Sequence, residues 1–183
     1  MNAVDVRRAT PTDLDSVATT LDLAFRDDPI SSWLFPDPAD RARLHPGMMR
    51  VFAEAGLEAG EVYVAGDAYG VAVWFPVDPA HPDDDEDFVK RLGAACGPYE
   101  DRIYELMRVM QANHPTSEAH LYLNFLAVRP ERQNQGIGAA MLRHQFRRLD
   151  AEGQPAYLET SSPRSVPLYT REGFERRGRL QAA

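Results

Sequence analysis

Apolar residues recur along this chain with two different periods. Leu14, Val17, Leu21 and Phe25 stand three or four apart behind Thr10-Pro11, which predicts a helix with proline in its first turn. The stretch RDDPISSWLFPDP breaks that pattern, and residues 39–59 return to helical spacing with Pro46 as a kink or boundary. AVDVRRA alternates well enough for a first strand, and EVYVAGDAYGVAVWFP predicts two strands joined by a turn at Gly66-Asp67. Residues 88–113 are helical with an interruption at Gly97-Pro98. AHLYLNFLAV is the most strand-like stretch, followed by a helix over 135–151 whose apolar positions include Leu142, Phe146 and Leu149. PAYLETS predicts another strand, residues 165–171 a short helix ending at Gly173, and FERRGRLQ an extended tail. Strands and helices alternate, so the expected class is α/β, a mixed sheet flanked by helices in a single domain over 1–183.

Composition narrows the function. No run approaches the roughly 20 apolar residues of a membrane span, and the N-terminus lacks a basic region followed by an apolar one, so a soluble, cytoplasmic protein without membrane contact is expected. Cys96 is the only cysteine, which excludes an intrachain disulfide and a cysteine zinc site, and its setting GAACGP has no His or Arg to make it a thiolate. Net charge is −8, which argues against nucleic acid as a partner. The contiguous acids Asp83, Asp84, Asp85, Glu86 and Asp87 lack the spacing and glycine that wrap a cation, so a solvated loop and no metal are expected. Between 129 and 148, however, five arginines face one acid, Glu131. That excess is a solvated helix face or the surroundings of an anion.

The same segment contains RQNQGIGAAM, with two glycines where a helix begins. Glycine there costs roughly 0.5–1 kcal/mol relative to alanine, so something needs a bare backbone. A strand, a short turn and a glycine-rich helix start direct free N–H groups and the helix dipole at one place, which suits a phosphate. Gly136-Ile137-Gly138 has no third glycine at Met141 and no following Gly-Lys-Ser/Thr, so neither a dinucleotide fingerprint nor a nucleotide phosphate loop is present.

FLAVRPERQNQGIGAAML resembles the acetyl-CoA motif of the GNAT-type N-acetyltransferase superfamily, a strand followed by Gln/Arg-x-x-Gly-x-Gly/Ala opening a helix. LETSSPRSVPLYTREGFE resembles the later block of that family, matched by Leu168, Tyr169, Gly173 and Phe174. The likeness covers roughly residues 118–176, with the earlier part similar by element order. Within the superfamily the phrases AFRDDP, VYVAG and LETSSPR look like puromycin-type antibiotic N-acetyltransferases. The implied fold is the GNAT acyl-CoA N-acyltransferase fold, a central mixed, mostly antiparallel sheet flanked by helices. It normally closes with two strands after Phe174, where nine residues remain, so a missing terminal strand is expected, with a homodimer as one way to pair the edge.

The resemblance implies acetyl-CoA as co-substrate, held in a V-shaped opening between the strand over 121–128 and the strand over 155–161. Backbone groups of Leu126, Ala127 and Val128 would pair with the pantetheine arm and polarise the thioester. Arg132, Gln133, Asn134, Gln135, Gly136, Ile137, Gly138 and Ala139 would surround the pyrophosphate. Ser165 stands where relatives often carry an asparagine that reaches the cofactor arm. Tyr169 matches the position of the general acid, against the alternative of a packed aromatic. For the base, Glu159 competes with His120, Tyr122 and Asn124, and Tyr122 and Asn124 are also candidates for contact with the acceptor. Asp27 and Asp28 would suit a cationic amine, or are simply a solvated helix end. The implied reaction is acetyl transfer to a primary amine of a small molecule in a ternary complex, with no covalent acetyl-enzyme. The alternatives are a non-catalytic acyl-CoA-binding module, or acetylation of a protein lysine or N-terminus.

Overall fold

Five strands form one sheet in the order in which they occur: β1 (Val6–Arg8), β2 (Val62–Ala65), β3 (Gly70–Val77), β4 (His120–Val128) and β5 (Ala156–Leu158). The structure is a computed structural model that describes residues 4–59, 61–80 and 85–179. β1 to β4 run antiparallel to their neighbours, and β4 pairs with β5 in parallel. The expected hairpin turns at Gly66 and Ala68, both with positive φ.

Helices α1 (Leu14–Phe25), α3 (Pro38–Ala59), α4 (Glu86–Cys96) and α5 (Glu100–Asn113) cover one face of the sheet. Val17 and Leu21 of the α1 stripe bury there with Val62, Val64, Val71, Val73 and Ala127. Helices α6 (Ile137–Glu152) and α7 (Val166–Arg171) belong to the other face, where Trp74, Leu121, Leu123, Met141 and Leu142 form the second cluster.

One position sets the shape of β4. Val73 pairs with Phe125 but Trp74 pairs with Leu123, leaving Asn124 as an extra residue, a β-bulge. Its effect is visible in the packing. Leu121 and Leu123 lie against the α6 face, whereas Phe125 and Ala127 lie against the opposite one. An extra residue reverses which face odd-numbered side chains occupy, and increases the local twist.

Three expectations about helices and loops need correction. RDDPISSWLFPDP is no simple break, because Pro29–Leu34 forms a short helix, α2. Asp28 is its N-cap, accepting from the Ile30 N–H at 2.9 Å, and Pro29 occupies the first helical position. Pro46 neither ends nor divides α3, which is continuous through it. The last part of the acidic run is not a loop: Asp85 caps α4 by accepting from the Phe88 N–H, and Glu86 and Asp87 occupy the first turn, where carboxylates complement the helix dipole. Asp83 and Asp84 lie outside the described residues.

α2 is fastened by a buried polar chain. His45, with no exposed surface, directs Nδ1 at Asp22 Oδ1 (2.7 Å) and Nε2 at Ser31 Oγ (3.0 Å), and Arg26 also binds Asp22. Burial pushes the Asp22 carboxyl up, but hydrogen bonds from His45 and Arg26 outweigh it and hold the group below its ordinary value. β5 is shorter than expected, ending at Leu158 rather than near residue 161. Residues 174–179 form no strand, so among the described residues the outer edge of β5 has no neighbouring strand.

Candidate active site

The parallel pairing of β4 with β5 covers three positions and stops at Leu123 opposite Leu158. One residue further along β4 is the bulge. Leu126, Ala127 and Val128 pair with Ala72, Val71 and Gly70 of β3, while no described strand pairs with their other edge. An open wedge of backbone donors and acceptors results, suited to an extended ligand laid along β4. Gly138 borders it: a Cβ there would stand 3.4 Å from Leu168 Cδ2 and 3.5 Å from Leu126 Cδ2.

At the far end of β4 the chain passes a 3-10 turn, Pro130–Arg132, and enters α6. Asn134 and Gly136 both have positive φ, +60° and +78°. Gly136 is the N-cap and a Cβ on it would meet nothing within 4 Å, so its glycine answers to backbone conformation, and that of Gly138 to closeness. The first N–H groups of α6 have no partner within the helix and point out of its N-terminus, which fits a diphosphate. Ile137 and Ala139 bury their side chains and offer only backbone. Gln133 and Gln135 brace the turn, donating to the carbonyls of Val128 (3.1 Å) and Glu131 (3.4 Å). Arg132 lies over the Tyr69 ring.

The remaining arginines of this segment do not converge on that N-terminus. Arg129 donates to Thr20, Arg143 pairs with Glu172, and Arg148 with Glu61 and Glu152. Most of the excess is therefore structural or solvated.

Across the wedge, Tyr169 stands half-buried with its ring edge-on to Phe174. Burial pushes its phenol up to about 12, so it keeps its proton at neutral pH. Ser165 is the N-cap of α7, its carbonyl accepting from Leu168 and Tyr169 N–H.

Glu159 is the first residue beyond β5, and both its carboxylate oxygens are buried without a hydrogen-bond partner. Asn124 Oδ1, on the bulge, is in the same condition. Both side chains lie beside the Tyr122 hydroxyl, which burial first and then the Glu159 charge push well above the usual tyrosine value. Tyr157 is pushed to about 12 by the same two causes. The Tyr122 and Tyr157 hydroxyls are the donors beside these oxygens, and three buried acceptors facing two hydroxyls leave capacity for a donor that arrives from elsewhere.

His114, at the end of α5, completes this cluster, and nothing in its sequence setting pointed to it. Its Nδ1 is 3.7 Å from Glu159 Oε1, and its Nε2 is 2.9 Å from His120 Nε2. The structure thus brings together Tyr122, Asn124, Glu159 and His120. Asp28 is engaged otherwise: one oxygen caps α2 and the other accepts from the Ser161 hydroxyl at 2.6 Å. Asp27 is exposed, 3.9 Å from Arg41. Cys96 is buried, and burial lifts its thiol to about 12, which leaves no thiolate for covalent chemistry. Among the described residues, no group of three or more His, Cys, Asp or Glu is placed to hold a metal ion, and no helix is long and apolar enough to cross a membrane.

Residues 86–176 match the family model of the acetyltransferase (GNAT) domain. Among solved structures, the chain is similar to a histone acetyltransferase HPA2 and related acetyltransferase from Corynebacterium glutamicum (27% identity, TM-score 0.62, 93% of this chain and 84% of that one). It is also similar in fold to arylalkylamine N-acetyltransferase 2 from Aedes aegypti (13% identity, TM-score 0.66, 94% and 82%). A third similar fold is that of a polyamine N-acetyltransferase from Drosophila melanogaster (17% identity, TM-score 0.61, 93% and 82%).

Proposed function

We propose, from the premise that this chain has the fold of the GNAT superfamily of N-acetyltransferases, that it transfers an acetyl group from acetyl-CoA to a primary amine of a small molecule. The observation that carries this reading is the group of three buried acceptors, Glu159 Oε1, Glu159 Oε2 and Asn124 Oδ1, where β4 and β5 separate, with two tyrosine hydroxyls beside them for three oxygens. A primary ammonium has three N–H donors and a positive charge to match one carboxylate.

In this reading the donor lies along the free edge of Leu126, Ala127 and Val128, with its diphosphate at the α6 N-terminus among Arg132, Gln133, Asn134, Gln135, Gly136, Ile137, Gly138 and Ala139. Ser165 borders the same arm. Glu159 receives the ammonium proton, directly or through water, while Tyr122 and Asn124 border the acceptor. The freed amine attacks the thioester carbonyl, whose oxygen is polarised by a β4 N–H. Tyr169 then protonates the departing thiolate, a task for which a phenol held neutral to about 12 retains its proton. Direct attack without an acetyl-enzyme agrees with the buried, protonated Cys96.

Two relatives in fold carry arylalkylamine and polyamine acetyltransferase in their names, which supports an amine acceptor and sets the test. Thiol release from acetyl-CoA is followed with phenethylamine, putrescine, spermidine, puromycin and a lysine-containing histone-tail peptide. Amine-dependent release that falls about a hundredfold or more in Glu159→Gln is the expected result. Acetyl-CoA binding with no release for any acceptor would turn the reading toward a binding module, and release with the peptide alone toward a protein acetyltransferase.

A further inference from the structure

The proton that Glu159 takes from the amine must leave before the next turnover, and the buried cluster behind Glu159 contains a route. His120 Nδ1 faces the Glu118 carbonyl at 3.0 Å. A carbonyl only accepts, so that nitrogen carries a hydrogen, and neutral His120 presents a lone pair at Nε2. The partner across 2.9 Å is His114 Nε2, which must therefore be the donor. Once Nε2 carries the hydrogen, the other nitrogen of neutral His114, Nδ1, is an acceptor. It faces Glu159 Oε1 at 3.7 Å. A carboxylate and a ring lone pair thus stand opposite each other with room for one proton between them, given a modest approach.

We propose that His114 is the second proton acceptor of the reaction and that His120 is a positioning residue that fixes its tautomer; this rests on Glu159 being the base. The amine N–H bond breaks as an O–H bond forms on Glu159. That O–H then breaks as an N–H bond forms at His114 Nδ1, giving an imidazolium and restoring the carboxylate. The imidazolium then loses the Nδ1 proton to water, which restores the resting tautomer; the side chain retains 18% exposure. His114 is the C-cap of α5. The titratable groups that face it are Glu159 after β5, His120 and Tyr122 of β4, and Tyr157 of β5, the aromatic rings at centroid distances of 4.9 to 5.0 Å.

The test has two parts. In the intact wild-type protein, nitrogen-15 NMR assigns the imidazole tautomers, with His114 expected as the Nε2–H form; His120→Leu should mix the tautomers and His120→Asn, which keeps an acceptor, should restore the single form. Kinetically, with phenethylamine and putrescine as acceptors, His114→Gln should lower kcat about tenfold or more near neutral pH with KM nearly unchanged, and remove one ionisation from the acid limb of the rate profile. In the Glu159→Gln background it should cause no further loss. A resting Nδ1–H tautomer at His114, or a His114→Gln protein with wild-type rate and profile, overturns the relay. If the wild type turns over neither amine, the acetyl-transfer reading is what fails, and the tautomer assignment still decides whether the pair is built as described.

Discussion

The Ser161 hydroxyl donates to Asp28 Oδ2 across 2.6 Å, while Asp28 Oδ1 caps α2. One carboxylate therefore ties the first turn of α2 to the loop that also carries Glu159. Asp28→Ala is expected to cost about 1–2 kcal/mol, the loss of a cap with a hydrogen bond, and to raise the acceptor KM by loosening both walls. Ser161→Ala should move KM with less than half that effect on stability. Thermal melts and acceptor titrations of both variants check this, and equal melts for the two would contradict the double role of Asp28.

Gly138 offers a sharper separation of stability from function. Alanine there meets Leu168 and Leu126 at ordinary contact distance, and alanine is the better helix former by about 1 kcal/mol. Gly138→Ala should fold at least as well as the wild type yet bind acetyl-CoA more weakly, because the new methyl narrows the wedge. Calorimetric titration against coenzyme A reads the binding. Gly136→Ala, forced into a φ of +78°, should lose both stability and affinity.

Tyr169→Phe should melt within a degree or two of the wild type but release thiol at least tenfold more slowly. If Tyr169 is only a packed aromatic, the rate will follow the melt and hardly change.

Alkaline pH should unfold this protein early. Burial raises Cys96, Tyr157 and Tyr169 to about 12, and holds Tyr122 well above its ordinary value. Each group favours the folded state while protonated; that contribution is complete below the ordinary values, about 8.5 for cysteine and 10 for tyrosine, and is lost as pH rises through the folded ones. Melting temperature should decline from about pH 9 upward. A flat profile between pH 8 and 11 would show that these groups ionise without opening the fold.

At the acid end the sign reverses. Asp22 is held below its ordinary value, so its contribution is complete above that value and disappears as pH falls through the folded one. Asp22→Asn should cost roughly 3 kcal/mol at neutral pH by leaving Arg26 and buried His45 without their anion. Urea denaturation at pH 7 and at about pH 2.5, below the ordinary aspartate value of about 3.9, measures both effects.

The elements that run long and periodic were legible in the sequence: the α1 stripe, the hairpin around Gly66, and β4 with the glycine-led helix after it. α2 was not, although Asp28-Pro29 is itself a cap followed by a first-turn proline, because six residues give no periodicity to detect. Asn124 resembles any polar residue within an apolar strand, and only its missing partner on β3 identifies the bulge. His114 acquires meaning solely from Glu159 and His120, which lie 45 and 6 residues away along the chain but within 4 Å in space. On the reading proposed above, the phosphate and thioester ends of the site rest on backbone and local motifs, which a sequence displays. The proposed acceptor side would be assembled from residues of α5, β4 and the end of β5, and such a junction leaves no local pattern.

The bulge at Asn124 makes the cleft a matter of counting. Pairing Asn124 with β3 in an unbroken ladder would return Phe125 and Ala127 to the side of Leu123 and shift every downstream side chain to the wrong face. A ladder without the irregularity would be better paired and would have nowhere to receive a guest. The chain thus forgoes one rung of an otherwise regular sheet, and vacancy at that rung is what distinguishes a receptacle from a wall.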